Sequence, residues 1–120
     1  MTTTQLDDFV QNFLQTWSSH DVDAIMDLMT SDCEFEPSSR AWGFHYKGSE
    51  AVRAAVEGLF KSAPDIKWSS VRYFAVGDEI VIEVLATGTN EQGEAFEIPA
   101  CDLLTIRDGK IASKRAYRKL

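Results

Sequence analysis

Two carboxylates stand where a proton could be moved. Glu36 closes a short alternating stretch, Cys33-Glu-Phe-Glu36, directly before Pro37, and Asp102 stands alone in an apolar run with Ile98, Leu103, Leu104 and Ile106. A lone carboxylate is costly to bury as an anion, so Asp102 either faces solvent or sits where its proton affinity matters. Two acids whose surroundings drive their proton affinities apart make a base and an acid for proton abstraction. The plainer alternative leaves Glu36 as a strand-end surface group and pairs Asp102 with Arg115 across the last hairpin. If Glu36 points inward, Glu34 is expected to be the solvent-facing one of the two.

Other groups could assist. His45, in an aromatic loop beside Tyr46, is of the side-chain type suited to shuttle a proton or hydrogen-bond a ligand carbonyl, or it simply satisfies a turn. Arg115 and Tyr117 share one parity on the last strand with Ile111. If that side is a cavity, Tyr117 brings a hydroxyl donor and Arg115 tunes Asp102, keeping it ionised for a base role. Trp42, Phe44 and Trp68 are candidates to floor a pocket for a flat hydrophobic ligand, whereas Trp17 falls in core register. His20 reads as structural and Cys101 as core. Two distant histidines with no i, i+4 His/Asp/Glu cluster predict no metal, and no phosphate loop, dinucleotide fingerprint or nucleophile elbow predicts a cofactor or covalent route.

The elements that must position these groups follow from periodicity. Leu6, Phe9, Val10, Phe13, Leu14 and Trp17 form a helical stripe, with Thr4 and Asp7 resembling a capping box. Ser18-Ser-His20 breaks it, and Asp21 caps a second helix carrying Val22, Ile25, Met26, Leu28 and Met29. Cys33–Glu36 is a short strand, 38–48 a loop, and Ser49 the cap of a third helix striped by Val52, Ala55, Val56, Leu59 and Phe60. Period two then predicts four strands over 66–76, 80–89, 95–107 and 111–118, with turns at Gly77-Asp78, Asn90–Gly93 and Asp108-Gly109. Ile80–Ala86 is apolar on both faces, so it should be central, with helices on one side and a second subunit on the other. The class is α+β, one domain over 1–120.

Totals narrow the functions. Of the 120 residues 44% are hydrophobic and 26% charged, ordinary values for a folded chain. A net charge of −7 disfavours nucleic acid. No Lys or Arg precedes Arg40, while basic residues crowd the last hairpin, giving either mutually attracting solvated faces or a basic rim for an anionic ligand. No membrane-spanning run or basic leader is visible, and two cysteines suit a reducing cytoplasm.

The order of elements, together with Asp21-Val-Asp-Ala-Ile25, Asp32-Cys-Glu-Phe-Glu-Pro37, Gly48-Ser-Glu-Ala-Val-Arg53 and Asp102-Leu-Leu-Thr-Ile-Arg-Asp-Gly-Lys-Ile111, resembles the cone-shaped nuclear-transport-factor-2-like fold. Within it the chain is similar to SnoaL-like polyketide cyclases and ketosteroid isomerases. The resemblance implies three helices on a curved, mostly antiparallel sheet that encloses a pocket. It also implies a homodimer through the sheet and cofactor-free isomerase, cyclase or dehydratase chemistry on a small hydrophobic carbonyl compound. Glu36 then matches the base before a proline, and Asp102 a protonated acid donating to an enolate, the arrangement known from ketosteroid isomerase. Phe13 stands where the isomerases carry a tyrosine donor and would contact substrate only as a ring. A binding or assembly module with the same fold is the alternative.

Overall fold

The structure, a computed structural model, describes residues 1–41 and 43–119. Helix α1 spans Thr3–Ser19 and α2 spans Val22–Asp27. Strands β1 (Met29–Glu36) and β2 (Tyr46–Lys47) precede helix α3 (Ser49–Ser62). Strands β3 (Lys67–Val76), β4 (Glu79–Thr89), β5 (Ala95–Arg107) and β6 (Lys110–Arg118) complete the chain. They form one curved, unclosed sheet in the order β2-β1-β6-β5-β4-β3, antiparallel except where β1 runs parallel to β6. The helices pack on its inner face. Val10, Phe13, Leu14 and Trp17 of α1, Val52 and Val56 of α3, and Ile80, Ile82 and Val84 of β4 share one core.

Local chemistry sets the ends of the elements. The first capping box is Thr2 with Gln5, not Thr4 with Asp7: Gln5 N–H donates to Thr2 Oγ1 at 3.1 Å, and Thr2 N–H to Gln5 Oε1 at 2.8 Å. A Gln amide reaches back to the cap N–H in the usual way, which the shorter Asp side chain does less well. Asp21 caps α2 as expected, accepting from Ala24 N at 3.1 Å. That helix stops at Asp27, so Met29 opens β1 four residues earlier than the alternation at Cys33 implied. Gly48, at φ 86°, takes the cap position of α3 in place of Ser49, in a region side chains avoid. At Asp108 and Gly109, φ values of 53° and 77° give the hairpin turn that this dipeptide favours.

One irregularity decides which side chains face the interior. Thr105 pairs with Ser113, but Ile106 pairs with Ile111, leaving Ala112 as an extra residue in β6. Such a bulge reverses the side-chain parity beyond it. Ile111 and Lys114 are therefore both buried, and Arg115 and Tyr117 fall on the outer face. The expectation that Ile111, Arg115 and Tyr117 share a side fails for this reason. Pro99 is tolerated within β5 because its face toward β6 meets only the end of that strand, where Lys119 N donates to Pro99 O at 3.0 Å.

Candidate functional site

The inner face of the sheet and helix α3 enclose a cavity of about 590 Å³. Leu59, Ile66, Trp68, Val84, Ala86 and Ile98 supply apolar wall, and Asp102 and Lys114 stand among them. Asp102 lies opposite Ile82 on one side and Ala116 on the other, while Lys114 lies opposite Leu104. Lys114 is thus diagonal to Asp102 on one face, a separation its long stem spans. Its Nζ is 3.4 Å from Asp102 Oδ1, with both side chains under a tenth exposed. The ammonium also sits 4.6 Å from the Trp17 ring centroid and 4.9 Å from that of Phe35. Those two π faces offset part of the lost hydration of the cation.

Trp68 is held in the wall from outside. Its main-chain N–H donates to Ser18 Oγ at 3.0 Å, Lys67 Nζ donates to Ser18 O at 2.8 Å, and His20 Nε2 lies 2.6 Å from Ile66 O. The left-handed His20, stacked on Phe60 at 3.9 Å, thereby fastens the end of α1 to the start of β3. Trp68 meets Trp17 edge-on at 6.1 Å. Its main chain bonded to Ser18 and its ring set edge-on to Trp17 and Phe60 hold Trp68 in the wall.

Glu36 is not in this cavity. Glu34 and Glu36 are two residues apart and share the outer face, where they line a small depression with His45, Ser113 and Arg115. Glu34 therefore does not point away from Glu36. Glu36 accepts from Gly43 N at 3.2 Å and from Arg115 Nε at 3.3 Å, tying the 37–45 loop and β1 to β6. His45 turns its Nδ1 to Gly43 O at 2.9 Å, with Nε2 3.8 Å from Glu34. Arg115 also donates to the Tyr117 hydroxyl at 2.7 Å. The sheet thus separates Glu36, His45, Arg115 and Tyr117 from Asp102, and the partner of Asp102 is Lys114 rather than Arg115.

The three expected pocket aromatics that the structure describes each take a different place. Trp68 lines the cavity. Phe13 is 2% exposed in the core against Trp17, where it cannot touch a ligand as expected. Phe44 lies outside, T-shaped to Tyr46 at 5.2 Å and beneath the Arg40 guanidinium at 4.2 Å. Trp42 lies outside the described residues. Burial raises the thiols of Cys33 and Cys101 above their ordinary value, so neither is primed as a nucleophile. Lys114 was the residue that pattern reading missed. The one sequence signal for it is Ala116, a small residue that leaves room opposite an isolated acid. Among the described residues no group of three His, Cys, Asp or Glu is placed to hold a metal, and no helix is long and apolar enough to cross a membrane.

Solved structures with this fold are numerous. A protein of ketosteroid isomerase-like fold from Catenulispora acidiphila DSM 44928, in complex with trimethylamine, superposes with a TM-score of 0.82 at 19% identity, covering 92% of this chain and 85% of that one. A candidate SnoaL-like polyketide cyclase from Jannaschia sp. CCS1 gives 0.82 at 20% identity, over 98% and 86% of the two chains. The epoxide hydrolase/cyclase-like enzyme SalBIII, of pyran ring formation in the polyether salinomycin, gives 0.84 at 21%, over 100% and 95%. At these identities the likeness is one of fold. No curated protein sequence matches the chain. The SnoaL-like domain profile matches residues 10–114, and across that span the chain belongs to the SnoaL-like domain family.

Proposed function

We propose that the protein is a cofactor-independent enzyme of the isomerase or cyclase kind, with Asp102 and Lys114 as its reacting pair. The observation that carries this reading is the buried ion pair set among the apolar walls of the cavity. A hydrophobic ketone entering the cavity would lose an α-proton to the Asp102 carboxylate. The C–H electron pair becomes the new C=C bond, the C=O π pair moves onto oxygen, and the Lys114 ammonium donates to the enolate oxygen that forms. Where the ketone is β,γ-unsaturated, return of the proton to the γ-carbon of the dienolate gives isomerisation. Attack of the enolate carbon on a second carbonyl of the same molecule gives ring closure, the new alkoxide taking the proton held by Asp102. In a dry cavity a fixed cation stabilises developing charge far better than in water. Deuterium exchange into a panel of hydrophobic ketones in D2O, followed by NMR, tests the reading. The Asp102→Asn variant should lose about 10²–10⁴ in rate, the usual range for a general base. Undiminished exchange in that variant rejects the role.

Phe13 supports a second reading, a ligand-binding module without chemistry, because the ring at that position gives no second donor to an enolate. Wild-type protein that binds the ketones but exchanges none of their protons would favour it. We further propose a homodimer through the outer sheet face, where Phe74 and Val76 are 53% and 71% exposed and Phe74 and Tyr117 line one shallow depression. The two free cysteines, one inside and one on that face, suit a reducing compartment such as the cytoplasm.

A further inference from the structure

The cavity has a charge of its own, opposite to that of the chain. Three cationic residues line it, Arg40, Lys114 and Arg118, against the single acid Asp102, within a chain of net charge −7. Lys114 is already compensated by Asp102 at 3.4 Å. The excess is carried by exposed residues: Arg40, whose guanidinium rests on the Phe44 ring, and Arg118, neither with a carboxylate within ion-pair distance among the described residues. Ser38, Ser39 and Ser62 add hydroxyls to the lining. A cleft with apolar walls and one sign of charge concentrates ligands of the other sign. We propose that the ligand is a hydrophobic acid, an apolar body whose anionic head rests on Arg40 and Arg118 while its reacting carbonyl reaches Asp102 and Lys114. This rests on the carbonyl chemistry proposed above. The opposite orientation is disfavoured, since an anion placed beside Lys114 would leave two negative charges against one positive charge in a buried site. Lys114 and Arg118 are four residues apart on one strand face, about 13 Å at about 3.3 Å per residue, so head and carbonyl are separated by a medium-length chain.

The test is a set of eight-carbon probes differing only in the head group: octanoate, octyl phosphate, 1-octanol and octylammonium, titrated by Trp fluorescence or calorimetry. Octanoate should bind about tenfold or more tighter than octanol, as expected for charge-assisted hydrogen bonds, and octylammonium should bind most weakly. Arg40→Gln with Arg118→Gln should abolish that preference while leaving octanol affinity and thermal stability unchanged. A stronger preference for octyl phosphate than for octanoate would assign the head as phosphate within the same proposal. Equal binding of octanol and octanoate would overturn it. So would an anion preference that survives the double arginine variant or disappears only in Lys114→Gln. Exchange of neutral ketones abolished by Asp102→Asn, alongside absent anion preference, would leave the chemistry standing and remove only this inference.

Discussion

Lys114 and Asp102 hold opposite charges 3.4 Å apart where each side chain is under a tenth exposed. Such a pair contributes little net stability, but losing one member strands the other in a poor solvent. Lys114→Met should therefore cost about 3–5 kcal/mol in urea denaturation, and the double variant Lys114→Met with Asp102→Leu should recover most of it. A single-variant cost below about 1 kcal/mol, as for exposed pairs, would contradict the burial described. Half of this pair was legible in the sequence. Asp102 stands out as one acid in an apolar run, whereas Lys114 looks like one more cation in a basic hairpin. Only the extra residue Ala112 turns Lys114 inward and Arg115 outward. A bulge leaves no dependable mark on hydrophobic alternation, so the parity argument selected Arg115 and Tyr117 instead. Glu36 is a different case: its place before Pro37 carries the family resemblance, while the strand's own alternation puts Cys33 and Phe35 inside and both glutamates outside.

Elements were more legible than their junctions. The four long strands fall within a residue or so of their expected bounds because long alternating runs admit one reading. The start of β1 and the two-residue β2 are set by neighbours rather than by pattern. β2 exists because Tyr46 and Lys47 pair with Phe35 and Glu34. One junction carries a pH-dependent link. Asp65, ahead of β3, accepts from Thr89 N at 3.0 Å and Thr89 Oγ1 at 2.6 Å, anchoring the end of β4. Those bonds from Thr89 lower its carboxyl below the ordinary 3.8. A depressed folded value means the stabilisation is present above the unfolded value and fades as pH falls through the folded one. Asp65→Asn should thus flatten the loss of stability between about pH 5 and pH 2, read from urea midpoints. An acid limb as steep as that of the wild type would show that Asp65 has no part in it.

At the scale of the molecule, the sheet is a partition, with a cavity on one side and, on the other, a mixed face where exposed Phe74 and Val76 stand among ion pairs such as Arg72–Glu83 and Arg115–Glu36. Ile80, Ile82 and Val84 close the interior, while Val81 and Leu85 of the same strand are only half-buried outside. That two-sidedness was visible in the sequence, and it motivates the dimer through the sheet. Phe74→Glu should shift the protein to monomer in light scattering without altering ligand binding in the cavity. A protein monomeric before the substitution would remove the dimer from the account. The cavity itself was expected from aromatic content, but its walls are mostly aliphatic, with Trp68 pinned in place by Ser18. The arginines at its mouth come from the 38–48 loop and the last residues of β6, places where periodicity has nothing to say.

In the function proposed here, chemistry belongs to the inner face of the sheet and not the outer one. The most direct measurement is the ratio of α-proton exchange rates, on one ketone, between Asp102→Asn and Glu36→Gln. The inner-face assignment predicts a loss of about 10²–10⁴ for Asp102→Asn and a wild-type rate for Glu36→Gln. A rate that collapses in Glu36→Gln and persists in Asp102→Asn would contradict it.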